Sequence, residues 1–247
     1  MNRQSRHANL ELEGNQETDS SSKLKIRVLS FAALVVCVLI GAGLGTRYYL
    51  QGDLGLVHGA LSVFFSINVL ICYWETCLYL RRSRVERRTE YWRNWRTQTG
   101  RLPHVEFFSS KVPLTRVFSP SLWADVWATY SQYDPSFADR RTFGFNVDIS
   151  NGFFTLLPTL FLYAAITIHI LPAYVTGMIG LILCWQWVYM TSVYWVSFFV
   201  ANRQAAISRM DLYLYIWGTN APWVLFPLLG LYTSIRLIAD GNYSVLA

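Results

Sequence analysis

The sequence predicts an all-α integral membrane protein, a five-transmembrane-helix bundle with an amphipathic cytoplasmic segment. Three observations predict it. Of 247 residues, 53% are hydrophobic and only 15% charged, against about 25% charged in an ordinary soluble domain. The mean hydropathy of +0.27 is nevertheless low for a chain wholly in lipid, because a spanning helix needs about 20 residues almost free of charge. Charge must therefore be segregated, and nineteen of the twenty-one Lys and Arg do fall in three blocks: residues 1–27, residues 81–142, and the stretch with Arg203 and Arg209.

Residues 1–27 are polar, mixed in charge and rich in Ser, Asn and Gln, so they bury too little apolar surface to order and are expected to form a flexible tail. Their acids, Glu11, Glu13, Glu17 and Asp19, argue against a secretory signal or a transit peptide. Residues 28–80 hold two spans. Val28 to Gly45 is uncharged and, at about 1.5 Å per residue, nearly crosses a hydrocarbon core of about 30 Å. Leu56 to Leu80 follows, with Glu75 as its one carboxylate. Residues 81–142 form a basic, Arg- and Trp-rich segment. Residues 143–247 hold three more spans, Phe143 to Leu171, Tyr174 to Val200 and Leu212 to Leu237, punctuated by Pro172 and by Arg203 and Arg209.

Five spans put all three basic blocks on one side and leave only Arg47 and Arg236 on the other. Because Lys and Arg near span ends favour the cytoplasm, the N-terminus is expected there and the C-terminus opposite. The membrane would be the endoplasmic reticulum in a eukaryote and the inner membrane in a bacterium.

Eight arginines between Arg81 and Arg101 interleave with Tyr91, Trp92 and Trp95. Such a mixture can bind nucleic acid. Its direct continuation from a span favours anionic lipid headgroups instead, with Trp at the interface, so no nucleic-acid partner is expected. Arg82 and Glu86 have the spacing of a favourable helical ion pair. Leu122, Trp123, Val126, Trp127 and Tyr130 recur at helical spacing and predict an amphipathic helix that lies on the membrane face or covers the mouth of the bundle.

Ionisable groups within spans are functional candidates by default, and there are two. Glu75 lies deep in the second span, and Asp148 near the start of the third, one turn before Asn151. The structural alternatives are an interhelical hydrogen bond for Glu75 and service to the helix amino end for Asp148. Asn68, two turns before Glu75, shares its face. Asn68, Asn151 and Asn220 must each find partners in lipid. With Trp185, Trp187, Tyr189, Tyr194, Trp195, Trp217 and Trp223 they outline an aromatic-walled ligand pocket, against the plainer reading of aromatics that only fill the core and decorate the interfaces.

Cys37, Cys72, Cys77 and Cys184 all lie in apolar runs, without Cys-x-x-Cys or Cys/His spacing, so neither a disulfide framework nor a metal site is expected. No cofactor is expected either, for there is no Gly-rich phosphate loop and no strand-helix alternation.

The string from Trp217 to Pro227, with Asn220, Trp223 three residues on and Pro227 four beyond, resembles the closing helix of the emopamil-binding, or EXPERA, family. The stretch Leu122 to Arg141, with Trp127, Tyr130, Asp134 and Asp139, is similar to that family's polar segment, and Phe145 to Pro158 falls at its third membrane helix. The resemblance implies a helical bundle with a cavity for sterols, lipophilic amines or other lipids, and an activity of sterol double-bond isomerisation by proton transfer. In this sequence only Glu75 and Asp148 could substitute for the family's acids, and a Trp such as Trp223 could shelter a carbocation. The departures are a second helix that offers Asn68 and Glu75 with no His near them, Ser150 near the expected acid of the third, and Thr191 and Ser192 where the fourth should carry Asp. Three readings follow: a proton-transfer isomerase or cyclase for a sterol or terpenoid, a non-catalytic lipid-binding protein, or an accessory subunit of a membrane complex. Homo- and hetero-oligomers are both compatible with the sequence.

Overall fold

A computed structural model describes residues 24–247, so most of the expected tail lies outside the described residues. Its last part, Lys25–Arg27 (β1), instead pairs antiparallel with Lys111–Pro113 (β2). The rest is helical: α1 (Val28–Gln51), α2 (Leu56–Leu80), α3 (Arg82–Thr99), α4 (Pro103–Ser109), α5 (Pro120–Tyr130), α6 (Phe143–Phe154), α7 (Leu156–Ile168), α8 (Ala173–Val200) and α9 (Arg209–Asp240). Four of these, α1, α2, α8 and α9, are long and apolar enough to cross a membrane, and a fifth span results if α6 and α7 count as one. This architecture is compatible with a multi-pass membrane protein.

Local chemistry sets the boundaries. Helix α1 runs six residues beyond the expected Gly45 and stops at Gly52, whose φ of 76° is the left-handed closing conformation open to a residue without Cβ. Helix α2 has the expected limits. The third apolar run is not one rod, for α6 and α7 meet at 50°. Pro158 has no N–H for the carbonyl of Phe154, so the ladder breaks beside Thr155. Within α9, Leu212–Gly218 is wound as a π-helix and regular winding resumes at Pro222, whose missing N–H releases the Gly218 carbonyl.

Helices α3, α4 and α5 gather with the β ribbon at one end, the basic end, where α2 finishes and α6 and α9 begin. Helix α5 is the helix expected from Leu122 to Tyr130. It packs on α2 and α3 with both faces covered: Trp123, Ala124, Asp125, Trp127 and Ala128 are all buried. It thus closes the mouth of the bundle. The expected Arg82–Glu86 pair does not form. Glu86 takes Arg140 at 2.6 Å, and Arg82 donates to the Tyr79 carbonyl, because α5 and the turn after it bring Arg140 within reach of α3.

Candidate functional site

Between α2, α5, α6, α8 and α9 lies a cavity of about 280 Å³, near the lower end of small-ligand pockets at roughly 300 Å³. Its walls are Trp74 and Ile71 of α2, Val147 of α6, Trp187, Met190 and Tyr194 of α8, and Trp223 of α9. Its floor at the basic end is Phe108, Val126, Trp127, Tyr130 and Phe137. The indole of Trp127 donates to the Trp74 carbonyl at 2.7 Å, which pins the floor to α2.

Two carboxyl groups enter this surface, Glu75 from α2 and Asp148 from α6. Among the described residues no Lys, Arg or His lines the cavity. Glu75 is buried and accepts from Asn151 Nδ2 at 2.6 Å. Asn151 in turn accepts from the Trp187 indole at 3.0 Å and from Thr155 at 2.7 Å. Asp148 forms no hydrogen bond or ion pair among the described residues. It does not serve the amino end of α6 either, since Thr142 is that cap and accepts from Phe145 N.

Six of the other expected site residues fall on or behind the same wall. Asn151, Asn220, Trp223, Trp187 and Tyr194 line the cavity, whereas Asn68 does not. Asn68 is fully buried behind Trp223, accepting from its indole at 2.8 Å and donating to Thr159 at 3.1 Å. Cys72 lies between Asn68 and Asn151, 3.6 and 3.8 Å from their amide nitrogens. A polar spine thus runs through the helix packing from Trp223 by way of Asn68, Cys72 and Asn151 to Glu75. Asn220 donates to the Tyr130 hydroxyl at 3.2 Å and to the Ile216 carbonyl at 2.9 Å. Ser150 and Thr191, the departures from the EXPERA pattern, also line the cavity.

Sequence reasoning anticipated the helix over the mouth of the bundle but missed Phe108 and Phe137 in the floor and the polar ties that hold it. Asp134 is fully buried, accepting from Tyr194 at 2.8 Å and pairing with Arg203 at 3.3 Å. The Tyr130 hydroxyl donates to the Tyr215 carbonyl in the π segment at 2.6 Å, and its burial pushes its pKa up to about 12. Tyr130 and Asp134 stand in the stretch that resembles the EXPERA polar segment, but no spacing rule ties Asp134 to Arg203, 69 residues on, or Tyr130 to Tyr215, 85 residues on. Trp185, Tyr189, Trp195 and Trp217, also expected in the pocket, do not line it, and Trp185 and Tyr189 are exposed on the outside of α8. Among the described residues no cluster of His, Cys, Asp and Glu could hold a metal ion.

Fold and site together define a helical bundle of membrane-span composition around an aromatic cavity that carries two carboxyl groups and, among the described residues, no Lys, Arg or His. No family model, curated protein or solved structure matches the chain.

Proposed function

We propose that the chain is a five-span membrane protein, with α6 and α7 as one broken span and the basic end cytoplasmic. Its cavity takes a sterol- or terpenoid-like lipid, on which Glu75 and Asp148 transfer protons. One observation carries the reading: two acids from different helices share one aromatic cavity that, among the described residues, no basic side chain lines. An acid among aromatic walls retains its proton more readily than in water and can deliver it to an alkene. Indole faces such as that of Trp223 stabilise the cation that forms. Asp148, without a partner, is suited to change protonation, and Glu75, held by Asn151, to remain fixed in place. The Asn220, Trp223 and Pro227 spacing that resembles the EXPERA family supports the same assignment.

The test is label uptake. Microsomes from cells making the protein, incubated with their own lipid extract in deuterated water, should place deuterium at carbon in a neutral lipid, and microsomes lacking it should not. Glu75→Gln and Asp148→Asn should each lower uptake by at least about 100-fold, the usual contribution of a positioned acid or base. Equal uptake in wild type, both variants and the control would remove the catalytic reading and leave a lipid-binding protein, which the full hydrogen bonding of the Glu75, Asn151 and Trp187 chain also suits.

A further inference from the structure

The arginines of residues 81–101 were the expected contact with anionic lipid, yet five of the eight are engaged within the protein. Arg88 forms a bidentate pair with Asp125 at 2.7 Å, and Arg84 lies 3.9 Å from the same carboxylate. Arg96 reaches Asp211 at 3.9 Å, while Arg81 and Arg82 donate to Ser121 and the Tyr79 carbonyl. A second basic surface has no acid beside it among the described residues. In the β ribbon Arg27 stands directly opposite Lys111, with Lys25 two residues along on the same face. Like charges directly opposite across a strand pair repel. Lys25, Arg27, Lys111 and nearby Arg116 are exposed, and none forms an ion pair among the described residues. Neither 24–27 nor 111–118 contains an acid.

Apolar side chains stand exposed among these cations: Leu24 and Phe118 at 73% each. They are held rather than loose. The Phe118 carbonyl accepts from Tyr73 of α2 at 2.7 Å, and its ring meets Phe31 of α1 edge-on at 5.3 Å. Ile26 and Val112 take the other face, Val112 against the core. Arg27 is the residue from which α1 begins, so where α1 enters a bilayer the ribbon stands at its surface.

We propose that this ribbon face binds an anionic phospholipid headgroup layer, with Lys25, Arg27, Lys111 and Arg116 on the phosphates and Leu24 and Phe118 in the boundary with the acyl chains. Headgroup anions between Arg27 and Lys111 relieve a repulsion that no protein group relieves among the described residues. Exposed apolar side chains among cations are the composition of an interfacial anchor. The inference rests on the reading that α1 spans a membrane.

The experiment reconstitutes the full chain in phosphatidylcholine bilayers with trace spin-labelled phosphatidylserine or phosphatidylcholine and compares their immobilised fractions. Wild type should prefer the serine lipid several-fold, as one basic residue near an anionic surface is favoured by about fivefold, and the preference should fade with salt. The quadruple variant Lys25→Gln, Arg27→Gln, Lys111→Gln, Arg116→Gln should lose it. A control, Arg87→Gln, Arg93→Gln, Arg101→Gln, which removes the free arginines between residues 81 and 101, should keep it. Preference retained in the quadruple variant, lost in the control, or absent from wild type overturns the proposal, as does a wild type that ignores lipid charge and binds RNA or an acidic peptide. Failure of the membrane reading is separately visible, as protein that does not float with the bilayers after alkaline extraction.

Discussion

Helices α8 and α9 pack together along their length, yet their two halves solve the contact differently. In the half far from the basic end the backbones nearly touch. A Cβ on Gly177 would lie 2.6 Å from the Ser234 carbonyl oxygen, and one on Gly230 2.5 Å from Cys184 Sγ. The void there is about 10 Å³, at most a single water. In the other half the same helices carry Trp187, Tyr194, Trp217 and Trp223, α9 relaxes into a π segment, and the space between their neighbours opens to about 280 Å³. Small residues close one half, whereas large rings and a widened helix hold the other open. The open half therefore depends on polar ties more than on packing.

The largest effect should come from cutting one of those ties. Arg203→Ala leaves the Asp134 carboxylate buried with only Tyr194 and the Ser136 amide as donors. A buried charge that loses its partner costs about 3 kcal/mol or more, so the thermal midpoint in detergent should fall by several degrees. Asp134→Asn in the same chain should restore most of it. If Arg203→Ala melts like wild type, the open half is held by packing after all.

Overpacking should separate the two halves next. Gly177→Leu drives a side chain into backbone and should cost at least about 1–3 kcal/mol. Met190→Phe points extra volume into the cavity and should leave the melting midpoint unchanged while blocking ligand. Equal losses from the two substitutions would mean that the cavity is not open in solution.

Much of this contrast was legible in the sequence and some was not. The apolar runs mark the helices because length and charge exclusion are local properties, and the limits of α2 fell where hydropathy placed them. Glu75, Asp148, Asn151 and Trp223 could be singled out because a polar or wide side chain in a span must be explained within the bundle. The bend at Thr155 was open to the same reasoning through Pro158, but a mean over a long apolar run hides it. Asp134 and Arg203 look like ordinary surface charges, since burial of the pair depends on how the turn after α5 meets the end of α8. Asn68 shows the remaining limit: its helical face is readable, but whether it touches ligand or supports Trp223 is a question of depth.

Asn68→Ala tests that distinction. It removes the acceptor of the Trp223 indole and the donor to Thr159, and hydrogen bonds between membrane helices average about 0.6 kcal/mol. The expected loss is therefore about 1 kcal/mol, with a red-shifted or broadened indole emission. Asn68→Asp, which keeps the acceptor, should retain the emission. A variant with wild-type emission and weaker ligand binding would place Asn68 in contact with ligand.

An effect that shrinks as pH falls should come from the clamp over the π segment. His104, on α4, holds the Tyr133 hydroxyl at 3.0 Å and the Tyr215 hydroxyl at 3.1 Å, and the two tyrosine rings stack at 3.7 Å. Burial first, and then the nearby Arg96 cation, lower the His104 pKa from its ordinary 6.5. The folded protein thus binds fewer protons at this site than the unfolded chain. The stability of the neutral clamp is complete above the unfolded value and is lost as pH falls from there through the lowered folded value. At pH 7.5 His104→Phe should cost about 1–2 kcal/mol for two hydrogen bonds. Its midpoint should approach that of wild type as the pH is lowered below 6.5, because only wild type must then charge a half-buried imidazole. A difference between the two that stays constant from pH 7.5 to 5 would mean that the clamp contributes shape alone, and that the open half of α8 and α9 owes nothing to the protonation of its cap.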